Sequence, residues 1–261
     1  MRGLAAALRF LTVFPVPGKS GMLAGAAGGP ASPAGGSILA GGLSGSVPWF
    51  PVVGLLLGLL SAGAAWLLAD MAPPALSAAL VTVLLLALSG GLHLDGLSDT
   101  ADGFLSSRPR ARVLEIMKDS HVGVMGVAAV FCVLLIKFSA LASVGPDHLW
   151  KAAFVIPLAG RTAIVIQMVF LPYVRRGGLG TIFQGRAGWG MLAWSVLVLV
   201  FACLFAGGST GMMAAVAGIG AALVMVLVCR RRIGGATGDT YGAACELAEA
   251  AAAVAIAMGP Q

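Results

Sequence analysis

An all-α, polytopic integral membrane bundle of about seven transmembrane helices, with an N-terminal interfacial or re-entrant helix, is the fold this sequence predicts. Three observations predict it. Of 261 residues, 59% are hydrophobic and only 10% charged, well outside the composition of soluble domains. The apolar runs reach the roughly 20 residues needed to cross a bilayer. They are also continuous rather than alternating, so they carry no β-barrel signal.

The elements follow in order. Leu4 to Phe14 is too short to span and is closed by Pro15 and Pro17, which suggests a helix lying in or dipping into the interface. Arg9 interrupts this first apolar run and no clear cleavage site follows, so a cleavable signal peptide is not expected. Residues 18–47 are rich in Gly, Ala, Ser and Pro and read as a flexible loop within a single membrane-embedded domain covering 1–261. Seven spans then run roughly from Trp49 to Ala69, Pro74 to Leu92, Gly123 to Val144, Lys151 to Leu171, Trp189 to Gly207, Met212 to Cys229 and Ala243 to Met258.

The loop charges orient the bundle. Arg2, Arg9 and Lys19 precede the first span. Arg108, Arg110, Arg112 and Lys118 follow the second, Arg175, Arg176 and Arg186 the fourth, and Arg230, Arg231 and Arg232 the sixth. The alternate loops carry almost no cations. The positive-inside rule therefore puts the amino terminus in the cytoplasm and the carboxy terminus outside. The net charge of +6 is explained by these loops, so no nucleic-acid partner is expected. The four cysteines, Cys132, Cys203, Cys229 and Cys245, form no CxxC pair and read as small hydrophobes.

Chemistry concentrates on the cytoplasmic side. Asp95, Asp99 and Asp102 are three of only ten acidic residues, and their i, i+4, i+7 spacing puts them on one helix face. Carboxylates so close repel unless a cation lies among them, which points to a divalent metal. Mg²⁺ suits such a place, because it takes a few carboxylates together with waters and phosphate oxygens. The plainer alternative makes Asp95 and Asp99 helix caps and Asp102 a loop residue. Next, Arg112, Glu115 and Asp119 are helically spaced before Lys118-Asp119-Ser120-His121. They form either a basic phosphate-binding wall with Asp119 as a further ligand or base, or a capped helix start beside lipid headgroups.

A third segment, Gly238-Asp239-Thr240-Tyr241-Gly242, leads to Glu246 and Glu249 on the same helical face. Carboxylates entering an apolar helix are costly and usually face a cavity. Lys137 and Arg161 lie inside predicted spans, each at an insertion cost of roughly 2.5–3.5 kcal/mol. They pair with these acids or with an anionic substrate, or in the case of Lys137 snorkel outward. His93 adjoins the acidic cluster, and no role is assigned to His148.

At this point the residues resemble a known family. His93-Leu-Asp-Gly-Leu-Ser-Asp-Thr-Ala-Asp-Gly103 is similar to the signature of the adenosylcobinamide-GDP ribazoletransferase, or cobalamin synthase, family. Other stretches agree in order: Arg9-Phe-Leu-Thr with Pro15-Val-Pro, Phe50-Pro-Val-Val-Gly-Leu-Leu-Leu-Gly58, Glu115-Ile-Met-Lys-Asp-Ser120 with Gly123, Lys137-Phe, Gly160-Arg161, Leu171-Pro-Tyr173, and Gly238-Asp-Thr with Gly242 and Glu246. The resemblance covers nearly the whole chain. Its main departure is the simple stretch near residues 21–46.

The resemblance implies the last step of the nucleotide-loop pathway in the bacterial inner membrane. Adenosylcobinamide-GDP and α-ribazole, or its 5′-phosphate, would be joined with release of GMP, and Mg²⁺ is the implied cofactor. Asp95, Asp99 and Asp102 are then the expected metal ligands, with Asp239 and Glu246 completing the site or serving as base. His93, Arg112, Lys118, Asp119 and Arg161 are the expected substrate contacts. Membrane lipid is an expected partner, and a homo-oligomer is left open. Two rival readings are a lipid phosphotransferase using CDP-alcohols and a cation transporter. The first expects an Ala-Arg pair where Thr100-Ala101-Asp102 stands. The second expects acids near mid-membrane.

Overall fold

The computed structural model describes residues 2–14, 45–175 and 187–260. The predicted loop at 18–47 lies almost wholly outside them, as do Lys19, Arg176 and Arg186. Among the described residues the chain is helical and has no strand: α1 (Arg2–Leu11), a 3₁₀ turn (Val47–Trp49), α2 (Phe50–Ala69), α3 (Pro74–Ser89), α4 (Leu92–Phe104), α5 (Arg110–Ile116), α6 (Val124–Ser143), α7 (Pro146–Phe170), α8 (Trp189–Ile233) and α9 (Gly238–Met258).

Five helices are long and apolar enough to cross a membrane, and six if α3 and α4 are taken as one bent span. The 45-residue α8 would measure about 67 Å if straight, more than twice a hydrocarbon core of about 30 Å. It instead turns back at Gly208, where φ is 53° and ψ −119°, and Gly211 rests against the Cys203 carbonyl on the preceding limb. The two limbs match the two spans expected there, so the sequence-derived segments recur in order.

The second span differs from expectation. It ends at Ser89 rather than Leu92, and α4 leaves it at 88°. Gly90 and Gly91 make this bend with φ values of 62° and 74°, a left-handed pair that side-chain-bearing residues rarely adopt. Turned by a right angle, α4 does not continue the line of α3, and its carboxylates stand at the end of the bundle that carries the basic loops.

The central helix is α7, whose most apolar 18-residue window is 89% buried. It packs against α2, α8 and α9. Large apolar side chains such as Trp66, Phe131, Phe201 and Phe205 stay on the outside, as expected where lipid is the solvent. At the N-terminus, Ala6, Ala7 and Leu11 of α1 join the core with Phe50. The Val13 amide donates to the Leu88 carbonyl at 3.1 Å, which ties α1 to the end of α3.

The ends of the spans sort into two sets. One end gathers Asp70, the α6–α7 turn, the Gly208 reversal and the carboxy terminus, where the Thr210 hydroxyl donates to the Pro260 carbonyl at 3.1 Å. The other gathers α4, α5 and the basic loops. In a cysteine-free background, Ser209→Cys and Ser120→Cys should be labelled by an impermeant thiol reagent from opposite faces of sealed vesicles. Labelling of both from one face would disprove this topology.

Candidate active site

Glycines let α4 and the first turns of α9 meet closely. A Cβ on Gly96 would lie 2.7 Å from the Asp239 carbonyl oxygen, and one on Gly242 would lie 2.9 Å from that of His93. The two backbones therefore touch at a crossing where side chains larger than hydrogen would collide. This contact brings Asp95 and Asp99 of α4 beside Asp239. Asp95 is exposed, and Asp99 and Asp239 are partly so. Partial burial and the negative charges of Asp95 and Asp239 push the Asp99 carboxyl up to about 7; Arg175 opposes them, and Asp102 adds a smaller upward push.

Asp102 shares their helix but is turned to a different task. Its two oxygens accept the backbone amides of Gly123 at 2.7 Å and Gly126 at 2.8 Å. Gly123 is the N-cap of α6 and has no side chain to cap with, so a carboxylate from another helix fills that role.

The start of α9 is fixed in two ways. Thr237 and Thr240 form a reciprocal cap: the Thr237 amide donates to the Thr240 hydroxyl at 2.9 Å, and the Thr240 amide donates to the Thr237 hydroxyl at 3.3 Å. Arg175 then forms an ion pair with Asp239 at 2.7 Å and donates to the Met117 carbonyl at the end of α5 at 3.1 Å. Other arginines of the basic loops act similarly. Arg230 donates to the Phe170 carbonyl that ends α7 at 3.2 Å, and Arg232 to the Phe104 carbonyl that ends α4. Cations at helix C-termini satisfy carbonyls that have no partner within the helix. The positive-inside pattern marks these arginines as topology signals, and the structure gives them helix ends to cover as well. No spacing rule connects Arg175 to Asp239, so only the fold reveals that pair.

Arg112, Lys118 and Asp119 lie exposed on and after α5. Arg112 pairs with Glu115 at 2.7 Å. Asp119 accepts the His121 amide at 3.0 Å and lies 2.6 Å from its ring. The backbone hydrogen bond from His121, followed by that of its ring, holds the Asp119 carboxyl below its ordinary range.

The structure places His93, Arg161 and Glu246 deeper, inside the bundle. Lys137 of α6 binds Glu246 at 2.7 Å and Glu249 at 2.6 Å, and Arg161 of α7 binds Glu249 at 2.6 Å. All four side chains are at most 6% exposed. The ring of His93 is within electrostatic reach of Arg161, Glu249 and Lys137, and neither of its nitrogens has a hydrogen-bond partner among the described residues. Glu246 lies two turns, about 10 Å, along α9 from Asp239 and is committed to Lys137.

The donors at the interface are carboxylate oxygens, which suit a hard cation. Among the described residues, no three His, Cys, Asp or Glu side chains are grouped so as to hold a metal unaided. A pair of carboxylates suits Mg²⁺ that arrives with phosphate oxygens and waters, since that ion seldom uses a cage built wholly from protein. Asp95 and Asp99 are the pair that fits.

Fold and site together define a multi-pass membrane protein with an acidic group and basic loops at one end of its bundle. The family described as cobalamin-5-phosphate synthase (CobS) matches residues 3–257, and the chain belongs to that family. Curated relatives named adenosylcobinamide-GDP ribazoletransferase include those of Desulforamulus reducens, Roseiflexus sp. and Pseudomonas putida. The first is 41% identical over 84% of this chain and 88% of its own length. The second is 38% identical over 97% of this chain and 88% of its own length. The third is 41% identical over 82% of this chain and 88% of its own length. No solved structure matches the chain.

The buried network is formally neutral, with two cations and two carboxylates. Lys137→Met alone should destabilise the detergent-solubilised protein by about 3–5 kcal/mol, because it leaves an uncompensated buried charge. Adding Glu246→Gln restores neutrality through Arg161 and Glu249, so the double variant should melt above the single one. A double variant melting no higher than the single would refute the charge-balance account.

Proposed function

We propose that the chain catalyses the joining of adenosylcobinamide-GDP to α-ribazole, or to its 5′-phosphate, with release of GMP. This is the final step of cobalamin synthesis. A ribose hydroxyl attacks the phosphorus that stays with the cobinamide, and the bond to the GMP oxygen breaks. The observation that carries the reading is the meeting of Asp95 and Asp99 with Asp239 at the basic end of a bundle whose family match runs nearly end to end. The basic loops favour placing this end in the cytoplasm, and the membrane is then the bacterial inner membrane.

Phosphoryl transfer asks the protein mainly for positioning and charge neutralisation. Asp95 and Asp99 would hold Mg²⁺, which when bound neutralises phosphate charge and lowers the pKa of an attacking hydroxyl. Asp239 completes the acidic group from the α9 side. Lys118 and Arg112, both exposed on the same end, are placed to meet the diphosphate, Arg112 by exchanging its surface pairing with Glu115. Asp102 supports the site by fixing α6 to α4. Lys137, Arg161, Glu246, Glu249 and His93 support it from within the bundle.

An exposed acidic group at the interface favours a transferase over a cation carrier, because the carboxylates inside the bundle are already neutralised by Lys137 and Arg161. Asp99→Asn should abolish Mg²⁺-dependent GMP release from adenosylcobinamide-GDP in membranes while the protein still inserts. Turnover near that of the unaltered protein would sink the assignment.

A further inference from the structure

The loop after α7 and the loop before α9 are zipped together. Tyr173 and Ala236 form a parallel bridge. The Val174 amide donates to the Ala236 carbonyl at 2.9 Å, and the Ala236 amide donates to the Pro172 carbonyl at 2.8 Å. A few residues beyond this bridge on each segment stand Arg175 and Asp239. Their ion pair is therefore set by backbone pairing rather than by two free surface side chains meeting. Each is less than one-fifth exposed: 16% for Arg175 and 18% for Asp239. A pair so placed escapes much of the screening that weakens surface salt bridges.

The contacts on Asp239 are one-sided. Oδ2 receives both Arg175 at 2.7 Å and the Thr237 hydroxyl at 3.4 Å. Oδ1 takes no hydrogen bond from the described residues. Arg175 is itself held by the Met117 carbonyl. Its positive charge also acts on Asp99, against the negative charges of Asp95 and Asp239. One guanidinium thus links α5, the loop after α7, and the acidic group shared by α4 and α9.

We propose that Arg175 is a positioning residue for the reaction. By gripping Oδ2 it fixes the rotamer of Asp239 and offsets part of the negative charge that Asp95, Asp99 and Asp239 place near one another. This rests on the reading of that acidic group as the reacting site. It requires no contact between Arg175 and substrate, and that separates it from a phosphate-binding role.

The test uses the full-length protein in proteoliposomes, with GMP release and thermal unfolding both measured. Arg175→Gln can still donate to the Met117 carbonyl but carries no charge to hold Asp239. Arg175→Lys keeps the charge. Arg175→Gln should lower kcat by about 10- to 100-fold, the scale on which misplacing a reacting group acts. The KM for the GDP-bearing substrate should stay close to that of the unaltered protein, the loss of kcat should persist when turnover is expressed per folded molecule from the unfolding curve, and Arg175→Lys should recover much of the lost kcat. Unchanged kcat in Arg175→Gln would overturn the proposal by reducing Arg175 to a helix tether. A rise in KM with kcat intact would overturn it in favour of phosphate binding. Arg175→Lys no faster than Arg175→Gln, or activity lost only in step with folded protein, would also overturn it. Failure of the underlying site reading is detected separately, by full turnover in Asp99→Asn.

Discussion

Four charged side chains buried near the middle of three helices set the constraint on which the bundle depends. Lys137, Glu246, Glu249 and Arg161 cannot face lipid, since each would be costly there. They also cannot be parted, since a lone charge in the interior costs more than the pair gains. With Lys137 on α6, Arg161 on α7 and the two glutamates on α9, one rotation of each helix satisfies all three ion pairs. Apolar packing in a membrane distinguishes poorly between helix rotations, because lipid and neighbouring helices offer similar surroundings. The ion pairs supply that discrimination. Once α9 is fixed in rotation, Asp239 at its start faces α4 rather than lipid.

The end of the bundle that carries the site is organised by a second kind of interaction, the satisfaction of helix termini. Asp102 caps α6 from another helix, Thr237 caps α9 from its own chain, and Arg175, Arg230 and Arg232 cover the last carbonyls of α5, α7 and α4. These charges serve topology and structure together. A basic loop that marks one side of the membrane also provides donors where helices end with open carbonyls. The acidic residues divide likewise: Asp102 accepts two backbone amides, while Asp95 and Asp99 take no hydrogen bond from the described residues. The same helix thus supplies one carboxylate that caps a neighbouring helix and two that, among the described residues, do not.

Much of this was legible in the sequence, for definite reasons. Span positions follow from apolar runs and alternating loop charge, both local properties, and the two limbs of α8 were separable because Gly207-Gly208-Ser209-Thr210-Gly211 interrupts the run. The common face of Asp95, Asp99 and Asp102 follows from helical spacing alone. Spacing along one helix cannot report what crosses it, however, and so it could not separate Asp102 from its neighbours. Nor could it tell whether Glu246 points along α9 to the interface or inward to Lys137. The right-angle bend at Gly90 and Gly91 was also hidden, because two glycines permit many geometries and the packing of α4 on α9 selects one. Arg175 was read only as one of several loop cations because its partner belongs to a distant segment.

The bend explains how a strongly apolar chain can carry a group of carboxylates without a buried counter-ion for each. Had α4 continued α3 into the bilayer, Asp95 and Asp99 would need buried counter-ions of their own, as Glu246 and Glu249 do, and a neutralised carboxylate has little left to offer a metal. Turned by 88°, α4 keeps one face against α9 through Gly96 and presents its acids to the aqueous boundary. The two acidic groups of α9 therefore have opposite fates that follow from depth. The deeper glutamates are neutralised by Lys137 and Arg161, which locks the helix, and the shallower Asp239 gives one oxygen to Arg175. Two helical turns separate the buried ion pairs from Asp239, and the buried set fixes the rotation of the helix that carries the shallower acid.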